Sequence, residues 1–291
     1  FVDGAAPVNV PVERTSTVRH ASTAALHDVH ARRKAGENIA SYGRHGSQTH
    51  RALEDALLAL EGGVRAFLVP SGLSAIALTF LALLSPGDHV IVTDSIYAPV
   101  RRLDAVLLQR LGIEVSYVEP NDGRLEAAIR PHTRLIFTES PGSLRHDIVL
   151  ATDNTWASGI LFRPLDAGAD VSVLAATKYV AGHSDVMLGA VIARTEAVAA
   201  RIAAAHDVLG LTIGADDAYL ALRGVRTLPV RISMLRSVLL MPCGSSPSAP
   251  RGVAMKALSR WLRPSVCQTM RNGTAAAPCY ACTLAWKMPT T

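Results

Sequence analysis

Along residues 49–231, short apolar runs bounded by Gly, Pro, Asn and Asp alternate with longer stretches whose apolar positions return at helical spacing. That alternation predicts an α/β domain, a mostly parallel sheet flanked by helices. Residues 49–61 place Leu53, Leu57 and Leu60 on one face and predict a helix, which Gly62-Gly63 ends. A short strand is expected at 64–69. Pro70-Ser71-Gly72 opens an apolar helix through Leu84, Pro86-Gly87 stops it, and His89–Thr93 reads as the next strand. Further strands are expected at 113–118, 134–138, 148–152, 171–175 and 187–193, with a helix at 97–111. The sheet then has about seven strands.

One connection departs from this pattern. The strand ending near Glu139 and the strand starting at Ile148 are joined only by Ser-Pro-Gly-Ser-Leu-Arg-His-Asp. A parallel crossover needs about a dozen residues or more, usually with a helix. Either these two strands are not parallel, or a helix is missing between them.

Composition divides the chain. At 291 residues and 49% hydrophobic, it is long enough to bury a large core. The net charge of +5 belongs to the end of the chain: residues 1–231 hold all 24 acidic residues and 22 of the 29 basic ones, a net −2. The remaining residues carry seven basic side chains and no acidic one, so the overall charge does not point to a nucleic-acid partner. All four cysteines (Cys243, Cys267, Cys279, Cys282) lie there too. Cys279 and Cys282 have C-x-x-C spacing, but no second pair or histidine stands at zinc-site spacing, and no metal site is expected. No long uncharged apolar stretch and no basic-then-apolar N-terminus occurs, so no membrane partner is expected and a soluble, cytoplasmic protein is.

The chemistry begins with two residues. Asp153 follows the apolar run Ile-Val-Leu-Ala-Thr, and Lys178 follows Val-Ser-Val-Leu-Ala-Ala-Thr, so each stands at the carboxyl end of a predicted strand. In an open α/β sheet, ligands bind in the crevice outside those ends. A lysine that can form a Schiff base and a carboxylate that can hold a pyridinium nitrogen protonated are what pyridoxal 5'-phosphate requires. Ser71-Gly72-Leu73, at the start of an apolar helix, offers unpaired backbone N–H groups to a phosphate. Tyr42-Gly-Arg44-His-Gly46 adds a phenol and a guanidinium in a glycine-rich segment.

Four segments in order resemble the Cys/Met-metabolism pyridoxal phosphate enzymes: Tyr42-Gly-Arg-His-Gly-Ser-Gln-Thr49, Glu139-Ser-Pro-Gly-Ser143, Asp153-Asn-Thr-Trp-Ala-Ser-Gly159 and Ala175-Ala-Thr-Lys-Tyr-Val-Ala-Gly-His-Ser-Asp185. The resemblance covers about residues 10 to 232. It implies a fold type I, transferase-like large domain and an amino-acid substrate. Lys178 would bind the cofactor and carry a proton from Cα toward the leaving sulfur. Asp153 would pair with the ring nitrogen, and Tyr97 would stack on the ring. Gly72, Leu73 and Thr177 would hold the phosphate, joined by Tyr42 and Arg44 of a neighbouring subunit in a homodimer or homotetramer. Trp156 would line the pocket, while His183 and Asp185 are read as structural. The Glu-Ser-Pro-Gly-Ser and Ala-Ala-Thr-Lys-Tyr forms are most similar to members that cleave L-cystathionine to homocysteine, pyruvate and ammonia in methionine biosynthesis. The alternatives are a related trans-sulfuration enzyme with γ-synthase or γ-lyase chemistry, or a non-catalytic remnant.

Three segments follow: 1–48, contributing to the dimer and the neighbouring site; 49–232, the cofactor domain; and 233–291, an atypical tail. Two departures from the family bear on activity. The family carries a longer, helical segment before Asp153, so the short connection reads as an internal deletion. After Ile232 the family continues into a C-terminal α/β domain that carries the arginine for the substrate carboxylate. Here the chain turns acid-free and rich in Ser, Pro, Cys and Met. That abrupt change is expected of out-of-frame translation beginning near codon 233. Genomic DNA around codons 144 and 233 tests this: another frame should encode the family's C-terminal domain, and a gene restoring nothing like it refutes the frameshift.

Overall fold

A strand buried along its whole length needs a partner on each edge and cover on each face. In the computed structural model, β2 (His89–Thr93) is buried at every position and lies between β3 (Glu114–Val118) and β4 (Thr133–Thr138), parallel to both. β5 (Val149–Asp153) continues the parallel set beside β4, and β6 (Val171–Leu174) beside β5. β7 (Gly189–Ala193) runs antiparallel between β6 and β1 (Arg65–Val69). The result is one seven-stranded, mostly parallel sheet in the order β1-β7-β6-β5-β4-β2-β3. The structure describes residues 7–119, 125–139 and 148–239. Residues 140–143 of the second quoted motif, the short connection through residue 147, and the tail beyond residue 239 lie outside them.

The helices follow the apolar periodicity where there is one. α2 (Gln48–Glu61) buries Leu53 and Leu57, and Ser47 caps its start. α3 (Gly72–Leu83) is apolar nearly all round, as a helix buried against the sheet must be. Its Phe80 meets Phe137 of β4 edge-to-face, ring centroids 5.1 Å apart, in the middle of the core. α4 (Pro99–Leu103) continues through a π turn at Asp104–Leu108 and a 3₁₀ turn at Gln109–Leu111, filling the helix expected at 97–111. α1 (Thr23–Lys34), α5 (Glu196–Leu209) and α6 (Ala215–Leu239) complete the α-helices among the described residues. The whole sheet lies in the compact unit that ends at Pro229.

β4 and β5 are parallel neighbours, with Leu135 opposite Val149 and Thr138 opposite Thr152. This register removes the non-parallel alternative. From Thr138 the chain has only to return to the level of Leu135, about 10 Å along the strand. An extended chain over residues 139–148 reaches that far, so the pairing itself does not demand a crossover helix.

One carboxyl is enclosed with this core. Glu61, the last residue of α2, has no solvent exposure. Burial pushes its carboxyl up to about 7, against hydrogen bonds from Ser172 and Asn154 and the nearby Arg163, which favour the ionised form. A carboxyl whose folded pKa lies above its unfolded value of 4.5 binds protons more readily in the folded state. Its contribution is therefore fully present below about pH 4.5 and is lost as pH rises through about 7. The unfolding free energy of the cofactor-free chain should fall across that window by at most about 3 kcal/mol on account of this group. Denaturant titrations from pH 4.5 to 8 on wild type and Glu61→Gln check this: the difference between the two should change across the window, and parallel curves would contradict it.

Candidate active site

The carboxyl ends of β2, β5 and β6 face one edge of the sheet, and each continues into a turn that carries one of the expected residues. Asp153 ends β5, opposite Val173 of β6. Immediately beyond, Asn154 N–H donates to Val173 O at 2.8 Å, extending the ladder past the strand. Thr155 then folds back, its N–H donating to Asp153 Oδ1 at 3.0 Å while its Oγ1 accepts the N–H of Ala175 at 2.8 Å. The Thr155 hydroxyl also bonds the Asp153 carboxylate, so one threonine joins the aspartate to the turn that leads to Lys178. Burial raises the Asp153 carboxyl above its usual range, opposed by the Thr155 side-chain and backbone bonds and by the charge of Lys178.

Lys178 sits on successive turns after β6, with its N–H on Ala175 O at 3.0 Å and its own carbonyl accepting from Gly182 at 2.9 Å. The Nζ lies 5.6 Å from the Tyr97 ring centroid and 5.3 Å from the Trp156 ring, within cation–π range of both. Tyr97 reaches this place from the turn after β2, where its carbonyl accepts the N–H of Val100 at the start of α4 and its ring packs on the core. Trp156, exposed, stands edge-on to Tyr179 at 5.8 Å.

The start of α3 is wedged against the same turn. A Cβ on Gly72 would stand 2.6 Å from Ala175 Cβ, and one on Gly189 would stand 2.1 Å from Ser71 O. Only glycines at both positions let the helix start lie this close to the lysine turn. Ser71 Oγ caps Ser74 N–H at 3.1 Å, while the N–H groups of Gly72 and Leu73 lie in the first turn of α3 and have no acceptor within the helix. Such donors, at the positive end of a helix dipole, suit a phosphate. Thr177 accepts Leu188 N–H at 2.8 Å and donates to Leu188 O at 3.1 Å, tying the lysine turn to the start of β7.

The structure thus brings Lys178, Asp153, Tyr97 and Trp156 to one edge, with Gly72 packed on the lysine turn. Tyr42 and Arg44 go elsewhere. Their 3₁₀ turn (Gly43–His45) bonds Ser16 through Gly43 N–H and faces the end of α5, where His45 pairs with Asp207 at 3.3 Å. Arg44 stacks on Tyr42 at 5.7 Å. Sequence reasoning missed Thr155 and Glu61. For Thr155 a signal existed, since a hydroxyl two residues after an aspartate at a strand end is an Asx-type turn. Glu61 stands just before Gly62-Gly63, where a helix end shows no chemistry of its own.

Residues 3–237 match the model of the Cys/Met metabolism PLP-dependent enzyme family. The cystathionine beta-lyase of Bordetella avium is 48% identical over 267 residues, covering 87% of this chain and 67% of that protein. The cystathionine beta-lyase of Escherichia coli K12 is 37% identical over 239 residues, covering 75% of this chain and 60% of that one. Both alignments are longer than the share of 291 residues they cover, as a gap within this chain requires. A relative with another activity, the L-alanine/L-glutamate racemase of Wolbachia pipientis wMel, is 38% identical over 207 residues, covering 66% of this chain and 51% of that protein. Among solved structures, a Campylobacter jejuni protein assigned as an O-acetylhomoserine (thiol)-lyase superposes with a TM-score of 0.71 at 26% identity, covering 80% of this chain and 68% of its own. It carries a pyridoxyl-lysine monophosphate. The chain therefore spans about three-fifths to two-thirds of the length of these beta-lyases, and it belongs to the Cys/Met metabolism family of pyridoxal phosphate-dependent enzymes.

Proposed function

We propose that this chain has the site of a pyridoxal phosphate-dependent carbon–sulfur β-lyase acting on L-cystathionine, in the cytoplasmic synthesis of methionine. The observation that carries the reading is the position of Lys178 Nζ, between the Tyr97 and Trp156 rings and within electrostatic reach of Asp153. The beta-lyase relatives support the choice of substrate.

The residues fit the cofactor. When bound, pyridoxal phosphate supplies an electron sink that makes the Cα proton of an amino acid acidic enough for an amine to remove. Lys178 anchors the cofactor and, once free, takes the Cα proton and delivers it to the sulfur that leaves Cβ. Asp153, fixed by Thr155, accepts the ring N–H with its carboxylate. Tyr97 presents a face for stacking, and Trp156 walls the pocket beside it. Gly72 and Leu73 offer main-chain N–H groups to the phosphate. The Thr177 hydroxyl has one proton, which it donates to Leu188 O, so toward a phosphate it contributes by fixing the turn, or by releasing that bond.

Tyr42 and Arg44 serve the site of a second copy in a homodimer or a tetramer of two dimers. Their placement on the Ser16 and α5 side of their own chain supports this role. The arginine that receives the substrate carboxylate in the family belongs to a domain whose sequence is not recognisable in residues 233–291. Turnover by the chain as it stands is therefore expected to be weak or absent even where the cofactor binds.

The purified chain mixed with pyridoxal phosphate should develop lysine-linked absorbance near the visible edge, and Lys178→Ala should abolish it. With cystathionine, slow release of pyruvate supports the β-lyase, 2-oxobutyrate points to γ-cleavage, and an ordinary enzymatic rate refutes the expectation of weak turnover. No cofactor absorbance at all identifies a remnant.

A further inference from the structure

The chemistry proposed above uses no atom of Glu61, yet this carboxyl meets the site's framework directly. Asn154, the residue after Asp153, donates its side-chain N–H to Glu61 Oε2 and Oε1 at 2.9 and 3.1 Å, and to Phe162 O at 3.0 Å. Ser172 donates its hydroxyl to Glu61 Oε2 at 2.7 Å. Asn154 is held through its main chain as well, by Val173 O on one side and Ser158 N–H on the other, each at 2.8 Å. In the β5–β6 ladder, Ser172 is opposite Thr152 and Val173 opposite Asp153. Glu61 thus grips both strands at the level of the aspartate. The other charges acting on it are Arg163, itself paired with Asp166 at 3.1 Å, and Asp153.

The donors that face Glu61 all ask for an acceptor, which an ionised carboxylate supplies on both oxygens. Burying that charge lowers stability, and a side chain kept at such a cost beside a site fits the trade-off between stability and function. We propose that Glu61 is a positioning residue for Asp153: from the end of α2 it anchors Asn154 and Ser172, and through them sets the height and tilt of the Asp153 carboxylate against the cofactor nitrogen. This role rests on the assignment of Asp153 to that nitrogen.

A double-mutant cycle on the full chain tests it, read at pH 8 as the dissociation constant for pyridoxal phosphate. Glu61→Gln offers one acceptor oxygen and an extra donor where two acceptors stood. It should weaken cofactor binding about tenfold when Asp153 is present and less than about twofold in the Asp153→Asn background, because coupled residues are non-additive. Glu61→Asp, which keeps the carboxylate, should recover part of the loss. Equal losses in both backgrounds, or none in either, overturn the proposal. Should Glu61→Gln fail to fold, Ser172→Ala removes a single donor and is judged by the same two criteria. A wild-type chain that binds no pyridoxal phosphate overturns the cofactor assignment and the Glu61 role together; tight wild-type binding with additive losses overturns the Glu61 role alone.

Discussion

The site depends on the locking together of two strand ends. β5 and β6 are parallel neighbours, so their carboxyl ends emerge side by side and the turns that follow are free to diverge. Here they do not. Asn154 continues the ladder onto Val173, and Thr155 bonds both the aspartate behind it and Ala175 across from it. An aspartate and a lysine separated by 25 positions of sequence become parts of one small hydrogen-bonded frame. Elements packed around that frame, notably the α3 start against Ala175, inherit their positions from it.

Parallel strands are demanding in another way, since each must return to the starting edge before the next begins. β4 and β5 meet that demand with unusually few intervening residues, and the register explains how: β5 begins level with the middle of β4, not with its start. The return path is thereby shortened. The aspartate-bearing strand keeps its ladder partners on both sides although the family's longer connection is absent from the sequence. What such a helix would have covered is a separate matter from pairing, and the pairing is intact.

Strands were legible in the sequence because their apolar runs are short, fully buried and bounded by turn residues. His89–Thr93 is the strand the sequence predicts, and the other six agree within two residues at their ends. The apolar pattern predicts no helix at 23–34, 196–209 or 215–239, where the structure has α1, α5 and α6. α1 has a physical reason: it buries no residue and so writes no apolar stripe into the sequence. α5 is rich in alanine, and buries only Ala199 and Ile202 among its residues, too sparse a pattern to mark a face. Lys178, Asp153 and Tyr97 were legible because their residue types advertise the chemistry. Thr155 and Glu61 do their work through partners far along the chain, Ser172 being 111 positions from Glu61, and such pairing exists only once the sheet has formed.

The single antiparallel strand in the sheet has its own consequence for the lysine. Because β7 runs opposite to β6 and lies beside it, the segment from Ala175 to Leu188 leaves and re-enters the sheet at one edge, as a hairpin connection does. A parallel β7 would have required this segment to climb to the opposite edge, with Lys178 on the first step of a crossover. Instead its peptide is an excursion closed at its base, where the Thr177 hydroxyl bonds Leu188 beside the sheet. The backbone entropy of placing the amine was spent in folding, leaving only the side-chain torsions of one lysine to be ordered when a ligand arrives.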